Sequence, residues 1–208
     1  MAKTAAETET AAFEMQDPPA GLARVSHNCS HGYCAMKNEK QQDRQHTMIR
    51  ILCIGKMKDK ALQALSAEYL KRISPFSRME IMEVKDEPNT RAEREAESVR
   101  IRDAEAQRVL AKLRPADHVV LLDLGGRMWN SEGFAQQLDS WQQIAGQKGG
   151  DLVFVIAGSL GPGADLVRRA DVRWKLSDLT FTHLLTRVLI LEQIYRAFMI
   201  LHGRTYHK

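Results

Sequence analysis

His183 and Arg187 stand four residues apart in a stretch whose apolar spacing predicts a helix, so both side chains fall on one face, one turn apart. An imidazole takes or gives a proton near neutral pH, and a guanidinium holds a developing anion or a phosphate. An arginine inside an otherwise apolar helix must find a partner or a ligand, because burying it unpaired is costly. The last residues, Gly203-Arg204-Thr205-Tyr206-His207-Lys208, add an aromatic ring, a second imidazole and further cations. Such groups stack on bases, hydrogen-bond to them and pair with phosphates. His183, Arg187, Tyr206 and His207 are therefore the candidates for proton transfer and anion stabilisation, with the roles not assigned among them. Two plainer readings compete: a capping or packing role for His183, and a frayed, idle terminus for the tail. Glu192 and Arg196, also four apart, read as an intrahelical ion pair.

A second constellation has little side-chain chemistry and much backbone. Ala157-Gly158-Ser159-Leu160-Gly161-Pro162-Gly163 follows an apolar run and offers small residues and free amides, which suits a ligand read by the main chain at close approach. It is neither the G-x-G-x-x-G dinucleotide fingerprint nor a P-loop with its Lys and Ser/Thr. Leu176-Ser177-Asp178-Leu179-Thr180-Phe181-Thr182-His183 runs directly into the last helix, so its polar groups gather at a helix start.

The elements that must position these residues follow from periodicity. Ile49 to Ile54, Met79 to Val84, His118 to Leu124 and Leu152 to Ala157 are near-continuous apolar runs and read as buried strands, the third closed by Gly125-Gly126. A short fifth strand is expected near Arg173 to Leu176. Helical patterns lie between them: through Leu62, Leu65, Tyr69 and Leu70, from a Thr90-x-x-Glu93 capping box to about Leu113, and through Phe134, Leu138 and Trp141. The last helix, His183 to Leu201, is apolar nearly all round and needs burial on more than one side, for which a subunit interface is a natural place. The expected architecture is α/β, a mostly parallel sheet with helices on both faces. Ligands of such sheets bind outside the carboxyl ends of the strands, here the loops 123–127, 158–163 and 177–182.

Composition sets the frame. A chain of 208 residues, 44% hydrophobic, builds one sizeable core but not two full domains. No run approaches the roughly 20 apolar residues of a membrane span. The acids Glu7, Glu9, Glu14 and Asp17 argue against a signal or transit peptide. Cys29, Cys34 and Cys53 form no disulfide framework, and a cytoplasmic protein is expected. The spacing His27-x-Cys29-x-His31-x-x-Cys34 matches no common zinc pattern, so no metal is expected. A net charge of +4 and a pI of about 9.0 are compatible with a polyanionic partner. Residues 1–47 are polar and aperiodic and read as a disordered extension; the domain spans 48–208.

Phe154-Val155-Ile156-Ala157-Gly158-Ser159-Leu160-Gly161, Leu176 to His183, Glu192-Gln193-Ile194-Tyr195-Arg196-Ala197, Tyr206-His207-Lys208 and the start at Met48 to Gly55 resemble the RlmH family of SPOUT methyltransferases. The resemblance covers about residues 48 to 208. It implies S-adenosyl-L-methionine-dependent methylation of N3 of a pseudouridine in large-subunit (23S) ribosomal RNA within the ribosome, by a homodimer whose fold carries a C-terminal trefoil knot. It implies cofactor contacts from Leu122, Ala157, Gly158, Leu176, Ser177, Asp178, Leu179, Thr180 and Phe181, and it allows the tail of a partner subunit to complete the site. Ala157 stands where the family usually has glycine, which places an extra methyl towards the expected pocket. Two other readings share these residues: an RNA-binding protein of the same fold without turnover, and a methyltransferase acting on a different rRNA or tRNA nucleoside.

Overall fold

The computed structural model describes residues 47–88 and 95–206. The expected disordered extension (apart from Thr47), the zinc-like spacing, the Thr90-x-x-Glu93 cap, His207 and Lys208 lie outside the described residues. Within them the order is β1 (Ile49–Ile54), α1 (Lys60–Ile73), β2 (Met79–Val84), α2 (Glu95–Leu110), β3 (His118–Arg127), α3 (Ser131–Gln147), β4 (Leu152–Ile156), α4 (Ala164–Arg169), β5 (Val172–Trp174) and α5 (His183–Leu201). The five strands form one parallel sheet in the order β2-β1-β4-β3-β5.

Alternation along the strands fills two layers. Ile49, Ile51 and Cys53 of β1, with Phe154 and Ile156 of β4, face α1, α3 and α5. Leu52 and Ile54, with Val153 and Val155, face α2 and α4. Because both faces are covered, the strands read as continuous apolar runs rather than as alternating ones. Helix starts are capped where the sequence supplies an acceptor: Asp59 takes the amides of Ala61 and Leu62, Asn130 that of Gly133, and Thr182 that of Leu185. At the amino ends of the strands Arg50, Arg114, Asp117 and Asp151 form an ion-pair network. The loops of interest lie at the opposite, carboxyl, end.

The structure differs from the sequence reading at four places. β3 does not close at Gly125-Gly126 but runs through them to Arg127, because β5 pairs again beyond an irregularity, Arg127 with Trp174. A Cβ on Gly126 would come 2.6 Å from the Arg173 backbone, so only glycine admits this approach. β5 itself is Val172–Trp174, slightly earlier and shorter than expected. Helix α4, six residues long, is too short to show a period and was not anticipated. Finally, α5 follows the edge strand β5 yet packs between α1 and α3 and over β4, so much of its all-round apolar surface is buried within one chain.

Candidate functional site

The carboxyl ends of β3, β4 and β5 open into a cavity of about 820 Å³. That lies within the roughly 300–1,000 Å³ typical of small-molecule sites. Leu122 and Asp123 enter from β3, Ile156 to Pro162 form the turn after β4, and Trp174, Leu176, Ser177, Leu179 to Leu184 and Thr186 contribute the third wall. Leu122, Ile156, Trp174, Leu176 and Phe181 make the lining mainly apolar. Ser159, Ser177 and Thr180 bring a few hydroxyls to it, that of Ser177 accepting from the Leu179 amide at 3.0 Å. All three sequence-predicted loops meet here, and every expected cofactor residue except Asp178 lines the space. Asp178 instead accepts from the Lys175 ammonium at 2.5 Å, its side chain mostly exposed.

The two glycines of the turn do different work. Gly161 has φ +86°, which β-carbon-bearing residues avoid, with open space beside it. Gly158 has no such φ; a Cβ there would lie 2.6 Å from the Glu105 carboxylate, which is buried and accepts the Glu87 amide at 3.0 Å. A side chain at 158 therefore collides with the layer behind the turn rather than filling the cavity. Ala157 is buried on the cavity wall without closing it. Two substitutions should separate: Gly158→Val, by displacing the turn, lowers affinity for a ligand of this cavity at least tenfold, whereas Asp178→Ala changes it less than about twofold. Calorimetric titration reads both, and equal effects would mean that the turn does not form the ligand's wall.

His183 opens α5 immediately after its cap Thr182 and lies on the cavity wall. Burial pushes its imidazole below the ordinary value of 6.5, the Arg187 charge pushes the same way, and Asp86 opposes them. The positive end of the helix dipole also disfavours an imidazolium. The ring is neutral at pH 7 and able to accept a proton.

Arg187, grouped with His183 in the sequence, goes elsewhere. It is 1% exposed and absent from the cavity wall. Its Nη2 donates to the carbonyls of Ile54 at 2.8 Å and Gly55 at 2.7 Å, and its Nη1 to Glu83 Oε1 at 3.0 Å. It holds α5 against the carboxyl ends of β1 and β2, so within this chain it positions the site rather than lining it. No sequence signal distinguished these two uses of a buried arginine.

The described part of the tail, Gly203 to Tyr206, likewise does not line the chain's own cavity. Gly203 takes φ +61°, its amide bonds Ile200 O at 3.0 Å, and the Arg204 amide bonds Met199 O at 2.9 Å, a Schellman turn that folds the chain back along α5. The Tyr206 hydroxyl then donates to Glu192 at 3.3 Å, its ring lies 4.9 Å from that of Tyr195, and the Arg196 guanidinium stacks on it. Glu192 lies nine residues beyond His183, about 13 Å along the helix. Burial, then the Glu192 charge, pushes the phenol up to about 12, so it is protonated at neutral pH and does not serve as a base there. Arg204 stacks on Phe76 of the same chain. Gly203→Ala, forced into this left-handed turn, should cost about 1 kcal/mol and lower Tm by about 2–4 °C in thermal unfolding; an unchanged Tm would remove the turn as an anchor of the tail.

A family model described as "Predicted SPOUT methyltransferase" matches residues 47–207. A protein of Desulforamulus reducens named "Ribosomal RNA large subunit methyltransferase H" is 44% identical over 160 residues, covering 77% of this chain and 98% of its own length.

Proposed function

From the premise that the chain belongs to the SPOUT methyltransferase family, we propose that it methylates large-subunit ribosomal RNA, at N3 of a pseudouridine, with S-adenosyl-L-methionine as donor. The observation that carries this reading is the cavity where three loops converge, of cofactor size and largely apolar, with the hydroxyl-bearing Ser159, Ser177 and Thr180 among its lining. That donor set suits an adenosine held by its ring faces and edges rather than by charge. The loop 176–181 would hold the adenosine, the turn at Ala157 and Gly158 would pass beside it, and Leu122 would pack against it. When bound, the cofactor supplies a methyl group already activated on a sulfonium, so the protein's task is mainly positioning.

N3 of pseudouridine is an imide nitrogen between two carbonyls and must lose its proton. His183, a neutral imidazole on the cavity wall, fits the role of the accepting base. Arg187 holds the helix that carries it. Tyr206 and His207 are assigned to the second subunit of a homodimer, a reading supported by Tyr206 lying beside Glu192, about two turns along α5 from the chain's own cavity. The return of α5 from edge strand β5 to the middle of the sheet supports the reading of a C-terminal trefoil knot, which needs the chain to come back across the sheet in this way. Ala157 leaves the cavity open, which favours an active enzyme over a binding protein without turnover. Among the described residues no helix is long and apolar enough to cross a membrane, in keeping with action on ribosomes in the cytoplasm.

The decisive experiment is nucleoside mass spectrometry of ribosomal RNA from cells lacking the protein, with and without complementation. Loss and return of one 3-methylpseudouridine is expected; loss of a different methylated nucleoside would move the substrate, and no loss would end the assignment.

A further inference from the structure

A second cavity, of about 620 Å³, lies beside the first, and His183 and Leu184 line both. Its remaining wall is Gly55, Lys56, Lys58, Lys85 and Asp86, the loops after β1 and β2. The three lysines are exposed, and none is ion-paired among the described residues. Surface arginines behave otherwise: Arg72, Arg100, Arg108 and Arg173 each rest on a carboxylate. The neighbouring acids are committed as well. Asp59 caps α1, and Glu83 takes Arg187 and the Met57 amide at 2.7 Å, which leaves Asp86 alone on the wall against three cations.

This cluster is built rather than loose. Gly55 turns the chain at φ +83°, and its amide bonds Val84 O at 2.8 Å. Arg187 fixes the carbonyls of Ile54 and Gly55 from behind, and Arg108 donates to Lys85 O at 3.0 Å. Three like charges held in one concavity repel one another, an arrangement that a polyanion relieves. Lysines act on phosphate as point charges and read no sequence, so they set position rather than specificity.

We propose that this second cavity holds the phosphodiester backbone of the RNA strand next to the nucleotide being methylated, so that Lys56, Lys58 and Lys85 set the register in which the base reaches His183. The proposal rests on the RNA-methylation reading and extends it to a backbone-binding groove.

Binding of the full-length protein to large ribosomal subunits and to protein-free large-subunit rRNA, measured against KCl concentration, tests it. For Lys56→Ala/Lys58→Ala/Lys85→Ala the slope of log Kobs against log[KCl] should become shallower by about 2, since each single-strand phosphate contact contributes about 0.7. Affinity in 0.1 M salt should fall at least tenfold, with S-adenosylmethionine affinity within twofold of the parent. The corresponding triple Lys→Arg variant should restore the slope. Lys148→Ala, at the amino end of β4, should leave it unchanged. An unaltered slope in the alanine variant overturns the proposal. So does a change seen on ribosomal subunits but not on protein-free rRNA, which would mean that the lysines meet a ribosomal protein, and so does a parallel loss of cofactor affinity. If the parent binds RNA with this salt dependence yet transfers no methyl group, the methylation reading fails while the slope still decides the groove.

Discussion

Arg187→Ala should lower the folding free energy by about 3–5 kcal/mol. Two carbonyls, Ile54 O and Gly55 O, receive their hydrogen bonds from its Nη2, and each left unsatisfied in a buried place costs about 1–3 kcal/mol. The truncation also leaves a void at one of the largest fully buried side chains of the protein. The lost Glu83 pairing adds little, because the Glu83 side chain is 34% exposed and water screens its charge. Arg187→Lys, with one ammonium in place of a fork, should recover only part of the loss. Urea unfolding of the three proteins measures this, and an alanine variant within 1 kcal/mol of the parent would show that the guanidinium does not hold α5 to β1. The same variant should reduce methyl transfer more than cofactor affinity, since His183 and the loop carrying Lys56 and Lys58 lose a common anchor.

His183→Ala should reduce kcat by about 10²–10⁴-fold, the usual range for a lost general base, with cofactor affinity nearly unchanged. The pH dependence follows from the sign of the shift. The imidazole is held below 6.5 by burial and by Arg187, so the active neutral form already predominates at 6.5 and is lost as pH falls through the depressed value. The rate of the parent should therefore be flat on this account near neutrality and fall on the acid side, with a limb below 6.5 that His183→Ala lacks. The linked stability has the same direction: the unfolded chain binds the proton more readily, so this contribution is fully present above 6.5 and lost as pH drops. An alanine variant with the parent's rate and acid limb would return His183 to the role of a packed histidine at a helix start.

Much of this protein was legible from its residues. Strands β1 and β2 and helix α5 fall where the apolar runs place them, and the loops after β3, β4 and β5 are legible in the sequence, because a buried parallel sheet writes itself as apolar runs and binds ligands at its carboxyl edge. The glycines hid more. Gly125 and Gly126 read as a strand end, yet Gly126 lets β3 continue against Arg173, because a residue without a Cβ serves both a turn and a close approach. The i, i+4 spacing of His183 and Arg187 put both on one helix face, but β1 and β2, distant in sequence, drew the guanidinium to their carbonyls and left the imidazole at the cavity. The tail carries groups that suit RNA; the Schellman turn at Gly203 decided that two of them, Arg204 and Tyr206, lie along α5 and against Phe76 rather than over the chain's own pocket. The lysines at 56, 58 and 85 form no local pattern in the sequence, since they sit on two loops separated by a helix and a strand. Local periodicity and residue chemistry thus determined the elements and the site's location. Which side chain faces which cavity was decided by contacts between segments far apart in the chain, where a few hydrogen bonds to buried carbonyls outweigh any preference written in the spacing.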